Sequence, residues 1–139
     1  AEVYTLNSAL FALITLLGLR WWMQFCGSSQ AVAQRKNREL FLAALLVGLG
    51  LGNHPTLAVL LIVGVPLLLT TRILILKDWA FMLGAMVLGL SVYVYLPLAA
   101  ADAPAVNWGY PISTSGFWWT VSGAPYRGYF LGLPFLQSP

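Results

Sequence analysis

The chain has a single cysteine, Cys26, a single histidine, His54, and 4 acidic against 7 basic residues among 139. One cysteine excludes an internal disulfide, and one cysteine with one histidine cannot assemble a structural zinc site. Charged residues make up 8% of the sequence, whereas soluble domains carry about a quarter. With 60% hydrophobic residues and a mean hydropathy of +0.82, this shortage of charge points to a membrane protein. The net charge of +3 does not describe a nucleic-acid surface, because the basic residues fall in short clusters at the ends of apolar runs. No internal repeat of fixed period occurs. The chain opens on Ala1 and closes on "LGLPFLQSP", and it reads as a piece of a longer polytopic protein.

What is present in abundance is apolar run. Four segments, about 4–25, 39–52, 56–71 and 79–98, are read as transmembrane helices of an all-α polytopic bundle, with 99–139 as an extracytoplasmic region. The first is long enough for a hydrocarbon core of about 30 Å at about 1.5 Å per residue. Its length, the lack of a basic leader and the spans that follow exclude a secretory signal peptide. Tyr4 marks one interface and Trp21 and Trp22 the other. Arg35, Lys36 and Arg38 follow, and the positive-inside rule puts them in the cytoplasm, so the chain starts outside. The second basic stretch, Arg72 to Lys77, gives the same sign. The fourth segment is expected to stop at Pro97, which a helix interior resists.

The second and third segments form a hairpin with about 13 and 16 apolar residues, roughly 20 and 24 Å of helix. Its tip, "GNHP", therefore sits below the outer surface. Irregular backbone at such depth is tolerated where it lines a cavity, and an ionisable group there is a functional hypothesis by default. Asn53 and His54 are candidates for a cavity floor. They also suit plain punctuation, with glycines ending one helix, Asn53 or His54 capping the next and Pro55 in its first turn.

The stretch "ADAPAVNWGYPISTSGFWWTVSGAPYRGYF" is rich in proline, glycine and aromatics. Ser113, Thr114 and Ser115 offer caps for a short interfacial helix with Phe117, Trp118 and Val121 on one face. Trp118 and Trp119 suit either membrane anchoring or stacking on a sugar ring, with Asn107 and the Trp108 indole N–H supplying hydrogen bonds at the rim. Arg127 can fork onto a phosphate or reach to a lipid headgroup. Asp102 can bind a hydroxyl or cap a turn.

"AEVYTLNS", "GLGNHPTL", "YLPLAAADAPAVNWGYP" and "GFWWTVSGAPYR", in that order, resemble a family of membrane protein O-mannosyltransferases, long filed as a domain of unknown function and including many bacterial members. The resemblance covers nearly the whole chain. It departs at Ala99, where an arginine commonly follows "LPL", and at Thr120, where histidine is more usual, so a phosphate or polar contact of the family is missing or relocated here. The family is similar to GT-C glycosyltransferases, with many transmembrane helices and an outer-face site.

The resemblance implies transfer of a sugar, mannose, from a polyprenyl-phosphate donor to a protein hydroxyl. A carboxylate acts as general base while a cation or divalent metal steadies the leaving phosphate. The main catalytic carboxylate of such enzymes lies in a first outer loop, which would precede Ala1. Glu2 is the supporting acidic candidate within the chain, His54 a hydrogen-bond partner or phosphate ligand, and Arg127 the candidate for the leaving phosphate. The residues themselves carry no cofactor signature. Membrane lipids, the lipid-linked donor and an acceptor protein are the implied partners. The host membrane is read as a bacterial plasma membrane, with the endoplasmic reticulum as the alternative. A transporter, flippase or non-catalytic scaffold shares the same pattern of spans and broken helices.

Overall fold

The computed structural model describes residues 2–26, 37–102 and 110–124. The chain divides into two compact units, Ala1–Ser91 and Val92–Pro139. Every regular element among the described residues is helical. The first unit holds α1 (Glu2–Cys26), α2 (Arg38–Asn53), α3 (Ala58–Thr71) and α4 (Leu76–Leu90), with a 3-10 turn at Pro55–Leu57 leading into α3. The second holds α5 (Tyr95–Ala101) and α6 (Thr114–Val121).

Two helical runs, Tyr4–Gln24 and Leu76–Ala101, are long and apolar enough to cross a membrane, and Pro55–Thr71 is apolar but shorter. The 16 residues of α2 and 14 of α3 span roughly 24 and 21 Å at 1.5 Å per residue. Both fall short of a core of about 30 Å, so the four expected crossings resolve into two full-length helices and a short hairpin. The hairpin's legs are short because a polar start at Arg38 and the turn at His54 bracket one, and Pro55 and the left-handed Arg72 (φ 51°) bracket the other.

The core of the first unit forms where α1, α2 and α4 meet. Ile14, Ala43, Val47 and Leu57 are buried together, with Leu10, Leu61 and Met86 against them. Nearer the basic residues, Trp21, Leu40 and Met82 make a second buried cluster. The Trp21 indole N–H donates to Asn37 Oδ1 at 3.2 Å, and Gln24 Nε2 donates to Glu39 Oε1 at 3.3 Å. These two bonds tie the end of α1 to the start of α2.

α2 and α4 run parallel, with α3 as the return between them, and their backbones touch. A Cβ on Gly48 would lie 2.1 Å from the Met86 carbonyl oxygen, and one on Gly89 2.3 Å from that of Leu45. Small residues at such a crossing let helices approach without an intervening side chain. α3, by contrast, has no buried residue, and Ile62, Val63 and Leu69 stay exposed. Its only fully buried anchor is Leu57, just before it, at 0% exposure.

Two sequence expectations fail in their details. The fourth helix begins at Leu76, where the Ile75 N–H donates to Asp78 Oδ2 at 3.1 Å, three residues before Trp79. Nor does helical structure stop at Pro97. A 3-10 turn at Ser91–Val94 precedes α5, which places Pro97 in the first turn of α5, where a missing N–H breaks no helical bond. In the second unit, Gly116 N–H donates to Ser113 Oγ at 3.0 Å, so Ser113 is the N-cap of α6. Along it Phe117, Thr120 and Val121 are half-buried and Trp118 is 61% exposed.

Candidate functional site

The polar interruption at the hairpin tip is an ordered set of hydrogen bonds. His54 has an extended backbone (φ −156°, ψ 132°), and its N–H closes α2 on the Gly50 carbonyl at 2.8 Å. Its side chain then opens the next turn, with Nδ1 accepting the Thr56 N–H at 3.3 Å. A nitrogen that accepts from an amide carries no proton, so the Thr56 hydroxyl, 2.9 Å from Nδ1, donates to it as well. The Thr56 oxygen accepts in turn from Asn7 Nδ2 at 3.1 Å. With Nδ1 taken as the acceptor, the bonds assign the imidazole proton to Nε2 and turn the Asn7 amide nitrogen to Thr56.

Tyr4 completes the cluster, its ring centroid 6.0 Å from that of His54 and tilted by 48°. α1 thus brings Tyr4 and Asn7, one helical turn apart, over a tip built by α2 and the Pro55 turn. Leu57 holds that turn down from beneath. A Cβ on Gly50 would fall 2.2 Å from Leu57 Cδ1, so glycine at 50 makes room for the leucine. Asn7 Oδ1 is shielded from solvent and takes no hydrogen bond. Leaving such an acceptor unpaired costs about 1–3 kcal/mol, which stability alone does not favour.

The cluster presents neutral donors and acceptors beside an exposed aromatic ring. That set complements hydroxyl groups and the apolar face of a sugar better than it complements phosphate, which needs cations or several converging donors. Among the described residues no three of His, Cys, Asp and Glu come together to hold a metal ion.

Residues 1–78 match the family model described as Protein O-mannosyl-transferase TMEM260 N-terminal domain. The chain belongs to this family. No curated protein and no solved structure matches it. The matched stretch contains every residue of the tip cluster, and it ends before the "YLPLAAADAPAVNWGYP" and "GFWWTVSGAPYR" blocks.

Against this frame of family and geometry the expected site residues separate. His54 lies at the centre of the cluster. Asn53 is the half-buried last residue of α2 beside it and is itself engaged. Asp102 belongs to the second unit, where it ends α5 and is exposed. Glu2 is the first residue of α1, its side chain outside the described part, and Asn107, Trp108 and Arg127 lie outside the described residues altogether. Sequence reasoning took Tyr4 only as an interface marker and passed over Asn7 and Thr56. The spacing of Tyr4 and Asn7 puts them on one helical face, and Asn7 is a carboxamide in an otherwise apolar run, which is the signal that could have found them.

Proposed function

We propose that the protein is part of a multi-pass GT-C-type membrane glycosyltransferase that transfers mannose from a polyprenyl-phosphate donor to a protein hydroxyl on the outer face of the membrane. The observation that carries this reading is the coincidence of the O-mannosyltransferase family match, residues 1–78, with the stretch that builds the tip cluster. The two full-length apolar helices and the exposed leucines at 6, 16 and 19 of α1 support a bilayer as the solvent. Arg20, Arg38, Arg72 and Lys77 all fall at the opposite end of the helices from the tip, which by the positive-inside rule gives the tip to the outer side.

In this reading Asn7, His54 and Tyr4 line the floor of the outer cavity. The His54 Nε2–H donates to a sugar or acceptor hydroxyl, and the Thr56–Asn7 relay keeps that proton on Nε2. A carboxylate takes the proton of the acceptor hydroxyl as its oxygen bonds to the sugar C1. The C1–O bond to phosphate breaks, and polyprenyl phosphate leaves with the electron pair. Glu2, at the start of α1, is assigned a supporting role, and Asp102, Asn107, Trp108 and Arg127 are assigned to donor and acceptor binding. A divalent ion accompanying the donor phosphate would be held by groups other than those brought together here. The plasma membrane of a bacterium is the proposed location.

The test is mannosyl transfer by the full-length protein in vesicles supplied with polyprenyl-phosphate mannose and a serine- and threonine-containing peptide. Mannosylated peptide and free polyprenyl phosphate are expected in equal amounts. Asn7→Ala and His54→Ala should each lower kcat/KM about tenfold, the loss of one good hydrogen bond. Absence of transfer, or full transfer by both variants, overturns the reading.

A further inference from the structure

The first unit contains a second feature that the transferase reading does not use. An apolar cavity of about 610 Å³ lies among α1, α2, α3 and α4, with Ile14 and Val47 toward the tip and Trp21, Trp22 and Trp79 toward the basic end. A hydrophobic cavity of about 150 Å³ holds a benzene-sized guest, so this one has room for a hydrocarbon chain of roughly four such units. Thr15 is the lone hydroxyl on the wall, and it is spent on the Phe11 carbonyl at 2.8 Å.

The charge around the cavity is one-sided. Arg20 neighbours the lining residues Leu19 and Trp21 in sequence but is not itself on the wall. Exposed Arg38, Arg72 and Lys77 lie at the same end, against the carboxylates of Asp78, which accepts from the Ile75 N–H, and Glu39, which accepts from Gln24, so with Arg20 the four basic and two acidic described residues there leave a formal excess of two positive charges. We propose that this cavity is a binding site for one anionic glycerophospholipid, with an acyl chain among the four helices and its phosphate at the basic end. The tryptophans at that end suit the boundary between chain and headgroup. The 16 residues of α2, about 24 Å, separate this mouth from the tip cluster, so the lipid is a resident of the opposite leaflet from the proposed sugar donor.

Two glycines make the proposal testable without breaking the fold. Gly18 and Gly64 both line the cavity, and a Cβ at either meets nothing within 4 Å. Leucine at either position enters empty space and raises helix propensity. Gly84→Leu is the control, since its Cβ also meets nothing within 4 Å and Gly84 is not among the cavity residues.

The experiment uses the full-length protein reconstituted in vesicles of phosphatidylcholine with or without phosphatidylglycerol, then extracted for native mass spectrometry. Wild type and Gly84→Leu should retain one phosphatidylglycerol. Gly18→Leu and Gly64→Leu should retain it about tenfold less well, the effect of displacing about two methylenes of contact. Phosphatidylglycerol carrying a mid-chain diazirine should, in the wild type, crosslink to α3 between Leu60 and Leu68 or to α1 between Ile14 and Trp22. Equal retention by all four proteins, equal retention of phosphatidylcholine, a co-purifying polyprenyl phosphate in place of phospholipid, or crosslinks confined to other residues would each overturn the proposal. The crosslink is read on the unaltered protein, so it decides the matter even if a leucine variant fails to fold.

Discussion

Gly48→Ala tests the contact on which the first unit depends. The new methyl would stand 2.1 Å from the Met86 carbonyl oxygen and 3.0 Å from Gly89 Cα, both backbone atoms, whereas ordinary contact begins at 3.4 Å. Backbone cannot swing aside as a leucine tip can, so α2 and α4 must part by about 1.3 Å at this point. Overpacking of this kind costs about 1–3 kcal/mol, and losing close Cα–H···O contacts adds about 0.5–1 kcal/mol. Against this, alanine gains about 0.8–1.0 kcal/mol over glycine in helix propensity. The balance is a loss of about 0.5–3 kcal/mol. Gly64→Ala makes the same chemical change where a Cβ meets nothing within 4 Å, so it should keep the propensity gain and stabilise by up to about 1 kcal/mol. Thermal unfolding of the full-length protein in detergent, followed by helical circular dichroism, reads both. Gly89→Ala should resemble Gly48→Ala, and the double variant should lose less than the two together, because the helices have already separated. Equal stability of Gly48→Ala and Gly64→Ala, or strict additivity at positions 48 and 89, would refute the close crossing.

Three further outcomes follow from the described contacts. His54→Ala should destabilise the hairpin by about 1 kcal/mol through loss of its cap, whereas His54→Asn, a good cap, should keep the melting temperature and still lose mannosyl transfer; a fully active His54→Asn would reduce His54 to a structural role. Trp21→Phe should cost about 1–3 kcal/mol, since it removes the indole donor from Asn37 in a site only 2% exposed, and an unchanged melting temperature would contradict that bond. Ser113→Ala should weaken α6 by about 1 kcal/mol, seen as faster amide exchange across residues 114–121, with α1 to α4 unaffected.

The helices were legible in the sequence because their solvent leaves a compositional mark, and the tip because Asn53, His54 and Pro55 interrupt an apolar run. What Pro97 would do was not legible. A proline stops a helix or starts one according to its place in the turn, and that place was set by the 3-10 residues Ser91–Val94, which carry no distinctive pattern. The tip cluster was half visible. His54 announces itself as the one histidine, but its partners Asn7 and Thr56 are joined to it only by the approach of α1, a contact between residues 49 positions apart. The small-residue crossing escaped notice because glycines in apolar helices look alike until another backbone arrives at two of them.

The parallel course of α2 and α4 has a consequence in time. Gly89 follows Gly48 by 41 positions, and at about 5–20 residues per second a ribosome takes on the order of two to eight seconds to supply it. During that interval the glycine seam of α2 has no mate, and among the described residues made by then α2 packs on α1 through Ile14 and Trp21. Only after α3 has turned back can α4 close the seam, so the order of synthesis is also the order in which this unit becomes stable.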